Sequence, residues 1–286
     1  MSSLSTPATG GPEPLLLLLD PAARQTDGES VRIAKDVLSG GADVKVACPE
    51  SPSELDRVLS HRGRRRPVVI GSDLALQRVL QALHRQRELG ADAVGMVPVG
   101  RADGLAAARA LGVPGAPVAA ARAVLAGAPR KLDLLVDDGG GVALGGVRIP
   151  GGGTRRPVGR SSGWRSLWAK LAAAEQGTVL TPEAGAESRG EQGARVRVEA
   201  DGRLLADVHH PVRAVQVTLP SGEALGEGVM EIVVRTPGAL VRVRAASVSV
   251  VGRGFGYEAD GHPVGPVRAR TWTVHPGCWG LLLPAA

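Results

Sequence analysis

The sequence predicts an α/β protein in two halves. A Rossmann-like parallel-sheet domain comes first, followed by a β-rich, sandwich-like domain. Three observations predict it. Between residues 14 and 125, short apolar runs alternate four times with stretches of helical periodicity, the pattern of a helix-covered parallel sheet. From residue 126 on, the apolar residues fall into many short alternating runs, as in antiparallel sheet. Asp201-Gly202 and Asp260-Gly261 are two-residue hairpin signals within that second half.

In chain order, residues 1–13 are rich in Ser, Thr, Pro and Gly and are expected to be a disordered tail. The first strand is 15–19, five leucines ending at Asp20-Pro21. It is too short to span a membrane and lacks the flanks of a leader. A helix over 27–38 places Val31, Ala34 and Leu38 on one face. A strand at 44–48 follows, then a helix capped by Ser53 and carrying Leu55, Val58 and Leu59. The run 67–70 is a third strand, turned by Gly71-Ser72-Asp73 into a helix over 74–89. The strand 93–97 breaks at Pro98-Val99-Gly100, and 105–111 begins another helix. In the second half the expected strands are 132–136, 142–149, 195–199, 204–208, 212–219, 229–235, 240–243 and 246–251. One helix, 164–175, interrupts them, with Trp164, Leu167, Trp168 and Leu171 on one face and Arg160, Arg165 and Lys170 beside it. That face packs on the β half or lies in a membrane interface. The domain boundaries are therefore 1–13, 14–125 and 126–286.

Composition bounds the chemistry. Aromatic residues are 2% of the 286, so the core is built from Val, Leu, Ile and Ala. The formal net charge of +6 draws the chain to phosphates, whether of nucleotides, nucleic acids or anionic lipids. Abundant Ala, Gly, Arg and Val suggest a high-GC genome, so part of the arginine content reflects codon usage. Two distant cysteines, Cys48 and Cys278, make neither a disulfide framework nor a metal site. They read as buried fillers in a reduced, cytoplasmic protein. Arg64-Arg65-Arg66 reads as a solvated loop, and His209-His210 before Pro211 as a turn. The triplets Gly139-Gly140-Gly141 and Gly151-Gly152-Gly153 open no helix after a strand and read as turns, not phosphate loops.

The ends of the predicted parallel strands carry the chemistry, because open α/β sheets bind ligands there. The first strand ends in Asp20-Pro21-Ala22-Ala23-Arg24, the third in Gly71-Ser72-Asp73-Leu74-Ala75, and the fourth in Pro98-Val99-Gly100-Arg101-Ala102-Asp103. Later come Leu111-Gly112-Val113-Pro114, an Ala-rich helix and Lys131-Leu132-Asp133. Then follow Glu227-Gly228-Val229-Met230-Glu231, Asp260-Gly261-His262, and Val274-His275-Pro276-Gly277 before a closing strand to Pro284. In this order and placement the chain resembles the diacylglycerol kinase family of lipid kinases, bacterial members included, from Leu15 to Pro284. The corresponding family motifs are Asn-Pro-x-Ser-Gly, Gly-Gly-Asp-Gly-Thr, Pro-x-Gly-Thr-x-Asn, Asp-Gly-x-Leu-Asp and Asp-Gly-Glu.

The resemblance implies a kinase-type nucleotide-binding first domain, a lipid-substrate second domain, and phosphoryl transfer from ATP with Mg²⁺ to a lipid hydroxyl. It assigns nucleotide contacts to Asp20, Gly71, Ser72, Asp73, Pro98, Gly100, Arg101 and Asp103. It assigns catalytic roles to Asp73 and His262, and metal binding to Glu227 and Asp260. The departures fall on the chemistry. Leu74 replaces a glycine and, if that position needs φ > 0, costs about 1–2 kcal/mol. Ala75 and Arg101 replace hydroxyls, and Asp103 sets a carboxylate where an Asn faces the nucleotide. His262 replaces the expected base; it can accept a proton but does not suit Mg²⁺. These changes predict a lipid-kinase-like protein whose phosphoryl transfer is impaired, alternatively a non-catalytic nucleotide- or lipid-binding relative. Asp73 also has a structural alternative, capping the 74–89 helix. The partners admitted are nucleotide, lipid, an anionic membrane surface at the inner face, and a homodimer. Nucleic-acid binding ranks last, with no reading module and few aromatics for stacking.

Overall fold

In the computed structural model, which describes residues 13–150, 193–220 and 227–285, five consecutive leucines form an interior strand, β1 (Leu15–Leu19), buried along its whole length. A strand covered on both faces needs an unbroken apolar run. The first unit is built around it and comprises residues 13–134 and 276–285. A short helix, α1 (Pro21–Thr26), follows at once, then α2 (Gly28–Gly41) and β2 (Val44–Ala47). Next come α3 (Pro52–Ser60), β3 (Arg66–Gly71), α4 (Asp73–Gln86) and β4 (Ala93–Pro98). A 3₁₀ turn at Ala102–Leu105 leads into α5 (Ala106–Ala110), and α6 (Pro117–Ala126) completes the helices.

The sheet of this unit runs β2-β1-β3-β4, parallel throughout. A fifth parallel strand comes from the far end of the chain, where Gly280 and Leu281 of β14 (His262–Leu283) pair with Ala93 and Val94. Right-handed crossovers in this order send α2 to one face and α3 and α4 to the other. The packing agrees: α2 lies against α6, and α3 against α4. Strand β5 (Ala128–Asp137) carries the chain out of the unit and β14 carries it back. The return is anchored by Trp279, which is buried and donates its indole N–H to the Asp133 carbonyl at 3.1 Å. The Asp133 carboxylate accepts the Gly277 N–H at 2.8 Å.

The second unit comprises residues 135–150, 193–220 and 227–275 and is antiparallel. Its strands are β6 (Val142–Ala143), β7 (Gly146–Pro150), β8 (Val196–Ala200), β9 (Arg203–Ala206) and β10 (Ala214–Thr218). They continue with β11 (Met230–Arg235), β12 (Leu240–Ala245) and β13 (Ser247–Ala259), then the first part of β14. The order is β12-β11-β10-β7-β13-β14, with β8 also paired to β13 and β9 to β8. Alternate residues of these strands enclose an aliphatic core around Tyr257 and Trp272, whose rings meet edge to face at 5.1 Å.

Several expectations are corrected. The cap of α3 is Ser51, not Ser53, because Pro52 takes the first helical position and Glu54 offers its N–H to the Ser51 hydroxyl at 3.2 Å. The expected strand 142–149 is two strands broken at 144–145, and β13 extends well past residue 251. The expected helix at 164–175, with Trp164, Leu167, Trp168 and Leu171, lies outside the described residues. Among the described residues no helix is long and apolar enough to cross a membrane.

Both Asp-Gly pairs close two-residue hairpins, with φ of 45° and 80° at Asp201-Gly202 and 48° and 81° at Asp260-Gly261. Asp201 also accepts the N–H groups of Ala246 and Ser247 at 2.9 and 2.8 Å. Partial burial opposes ionisation there, but these bonds outweigh it and hold the carboxyl below its ordinary value. A native value below the unfolded one of about 3.9 gives stability that is complete above that pH and is lost as pH falls through the native value. Asp201→Asn is therefore expected to flatten the acid limb of the stability curve, measured by thermal melts between about pH 2 and pH 6.

Candidate functional site

The strand order reverses between β1 and β3: the chain moves outward to β2, then crosses β1 to reach β3. At such a switch point the loops after the two strands part in opposite directions and leave a crevice beyond their carboxyl ends. Asp20 and Gly71-Ser72-Asp73 stand there. The Asp20 carboxylate accepts the Ala22 N–H at 3.0 Å, capping α1, and the Ser72 hydroxyl at 2.8 Å, tying the two loops together. Gly71 is required by this tie. A Cβ at that position would lie 2.3 Å from the Asp20 Cβ, so only hydrogen fits beneath the aspartate.

Asp73 does not cap its own helix. It is the first residue of α4, whose N-cap Ser72 makes no side-chain capping bond. The buried Asp73 carboxylate instead accepts the N–H groups of Ala107 and Ala108, at 2.8 and 3.0 Å, in the first turn of α5. Leu74 lies in the helical backbone of α4, outside the positive-φ residues, so its replacement of a glycine carries no left-handed strain. After β4, the Val99 N–H donates to the Gly71 carbonyl at 2.9 Å, which holds the Pro98–Gly100 turn beside the β3 loop. Pro98 is buried, and Gly100 has φ 143°, a conformation that L side chains rarely adopt. Arg101 and Asp103 are exposed and face each other at 3.5 Å.

A cavity of about 260 Å³ opens beside Asp20 on the α3–α4 face. Its floor is apolar, from Leu18, Leu19, Val69 and Leu55, and its rim is polar, from Asp20, Glu50, Ser51, Arg78, Gln81 and Arg85. Arg85 is held by Asp56 at 2.8 Å. Arg78 has no ion-pair partner among the described residues and is the cation left to meet a ligand. Apolar walls with a few convergent polar groups suit a planar, partly charged small molecule, and the volume sits near the lower end of small-molecule sites, about 300 Å³. The sequence reading missed Glu50, Ser51, Arg78 and Gln81. Glu50 and Ser51 precede a helix whose cap the sequence places at Ser53, and Arg78 and Gln81 fall within the helix expected over 74–89.

The remaining candidates belong to the second unit. Asp260 turns inward, and its two oxygens accept the N–H groups of Leu144, Gly145 and Gly146 at 2.7, 2.8 and 3.0 Å. It thereby fixes the β6–β7 bend from the β13–β14 hairpin. Glu227 is exposed and paired with Arg244. His262 is exposed just beyond the Asp260-Gly261 turn. Among the described residues no group of three His, Cys, Asp or Glu is placed to hold a metal ion. Cys278 is half buried, which pushes its thiol up to about 11 and makes it a poor nucleophile.

No protein-family model matches the sequence, and no curated protein matches it. Solved structures do. A diacylglycerol kinase from Bacillus anthracis str. Sterne is 14% identical, with a TM-score of 0.68 over 96% of this chain and 98% of that one. A second structure from the same strain, assigned to the same kinase class, gives 14% identity and 0.68 over 96% and 99%. The chain has the fold of these kinases over nearly its whole length.

Two substitutions test how the site is held. Asp73→Ala strands two amides at a buried helix end and is expected to destabilise the protein by about 2–3 kcal/mol, with Asp73→Asn losing less. Gly71→Ala forces Asp20 aside and is expected to cost about 1–3 kcal/mol. Urea unfolding measures both.

Proposed function

We propose that this chain is a lipid-kinase-like protein that binds a nucleotide at the carboxyl end of its parallel sheet and does not transfer its phosphate. The observation that carries this reading is the engagement of Asp73. Phosphoryl transfer depends on backbone amides and charged groups left open to the phosphates. Here a buried carboxylate lies on the amides that open α5, at 2.8 and 3.0 Å. An anion of the protein's own occupies donors that would otherwise suit a phosphate oxygen.

The acceptors that Mg²⁺ would need are similarly engaged. Asp260 is filled by three amides and Glu227 by Arg244. The described residues do not fit a magnesium site. What remains is the cavity beside Asp20, with an apolar floor for a base and Arg78 for a phosphate or ribose oxygen. The lipid-handling role of the second domain belongs to the same reading and rests on the shared fold; the cytoplasmic setting proposed with it rests on two free cysteines.

ATP is expected to raise the melting temperature, as any ligand of the native state does, and Arg78→Ala to raise its half-saturating concentration about tenfold. Beside this, transfer of labelled γ-phosphate to diacylglycerol in mixed micelles stays at background. Transfer that Asp73→Asn abolishes would overturn the reading. The absence of any thermal shift with ATP would remove its nucleotide half.

A further inference from the structure

The cavity beside Asp20 carries two uncommitted charges of opposite sign. Most of its polar rim is engaged. Asp20 accepts the Ala22 N–H and the Ser72 hydroxyl, the Ser51 hydroxyl accepts the Glu54 N–H, and Arg85 is held by Asp56. Gln81 also has a partner. Glu50 and Arg78 line the same cavity and are exposed, and their side chains have no ion-pair or hydrogen-bond partner among the described residues. Glu50 comes from the loop after β2 and Arg78 from α4, and the two do not pair with each other.

Both charges stand on anchored backbone. The Glu50 N–H donates to the Glu54 carboxylate at 3.0 Å, while the Ser51 hydroxyl accepts the Glu54 N–H at 3.2 Å. This reciprocal cap fixes the Glu50 backbone at the start of α3 and leaves its side chain to a ligand. Helix α3 is tied in turn to α4, where the Gln86 amide donates to the Asp56 carbonyl at 3.0 Å and Arg85 meets the Asp56 carboxylate at 2.8 Å. An ionised carboxylate only accepts hydrogen bonds and repels phosphate, whereas a guanidinium only donates and attracts it. The pair therefore suits a molecule with a hydroxyl at one place, a phosphate at another and an apolar face between them.

We infer that Glu50 selects the sugar: its carboxylate accepts the 2′-hydroxyl of a ribonucleotide whose phosphate meets Arg78. The inference rests on the nucleotide reading above and adds which sugar that site takes. In dinucleotide-binding α/β sheets a carboxylate beyond the first βα turn bonds the ribose 2′-hydroxyl. Glu50 stands in the corresponding place, just past the end of β2, the parallel neighbour of β1. A site built to bond a hydroxyl rejects the analogue that lacks it, because the protein group is left unmet. Glu50 is exposed, so water replaces part of the lost bond, and the discrimination expected is about tenfold rather than the far larger factor of a buried group.

Isothermal titration calorimetry of the full chain with ATP and with 2′-deoxy-ATP tests this. The wild-type chain is expected to bind ATP about tenfold more tightly than 2′-deoxy-ATP. Glu50→Ala should lower the ATP affinity to that of 2′-deoxy-ATP, so that the two bind alike. Arg78→Ala should weaken both about tenfold and keep the preference between them. Unchanged melting temperatures of the free variants separate these effects from misfolding. Equal affinities in the wild-type chain, or a preference that persists in Glu50→Ala, would overturn the inference and leave the nucleotide reading standing. Failure of both nucleotides to bind would remove the two together.

Discussion

A carboxylate buried away from water is tolerable only if hydrogen-bond donors replace the lost solvent, and Asp73 meets that condition with the two amides that open α5. Much of the ligand end of the parallel sheet depends on that contact. It fixes where α5 begins, 34 residues along the chain, and so where the loop after β4 must run. It also satisfies two N–H groups that would otherwise lack partners at the start of a helix too short to be stable alone. The tie from Asp20 to Ser72 acts beside it, and Gly71 is the space that lets Asp20 lie across the strand end.

The same device recurs in the second unit. Asp260 and Asp201 each sit in a two-residue hairpin, in left-handed backbone, and each reaches from there to the backbone amides of another segment. An ionised oxygen accepting N–H bonds makes stronger contacts than a neutral one, so a single residue can hold a loop that has little apolar surface of its own. The consequence for chemistry is direct. Amides joined in this way are already satisfied, and the carboxylate is held in place by them. The protein therefore uses several carboxylates to hold its own loops.

This explains what was legible in the sequence. Where structure follows from a local pattern, the residues announce it: the leucines of β1 read as a doubly covered strand, and both Asp-Gly pairs read as hairpins. Ser51 was misplaced to Ser53 because two serines flank one proline, and only the Glu54 bond distinguishes them. The return of residues 276–283 to the parallel sheet carries weaker marks, since β14 contains Gly and Pro along a 22-residue strand and changes partners on the way. The site was half legible. The order of the loops was visible, but the role of Asp73 was not, because the partners of a backbone-directed carboxylate have no side-chain identity to read. Glu50 and Arg78 were missed for a related reason. Each belongs to a helix or cap that accounts for it locally, and only the crossover order brings them to one cavity.

Backbone-directed contacts also bear on how a fold survives when 14% of its residues match its structural neighbours. Ala107 and Ala108 contribute N–H groups alone to the Asp73 contact, so the contact itself excludes only proline there, although the burial of Ala108 also favours a small side chain. Leu74 and Ala75 lie in ordinary helical backbone and are not involved in it. Two of the departures, Leu74 and Ala75, are thus positions the Asp73 contact does not require, whereas two others, Asp20 and Ser72, form the tie between the loops. Of the residues retained in the phosphate-loop motif, Gly71 gives space beneath Asp20 and Asp73 fixes the start of α5. Retention of Asp73 within the phosphate-loop pattern is accordingly weak evidence for catalysis in this chain, because the residue holds the start of α5 whether or not a phosphate ever meets it.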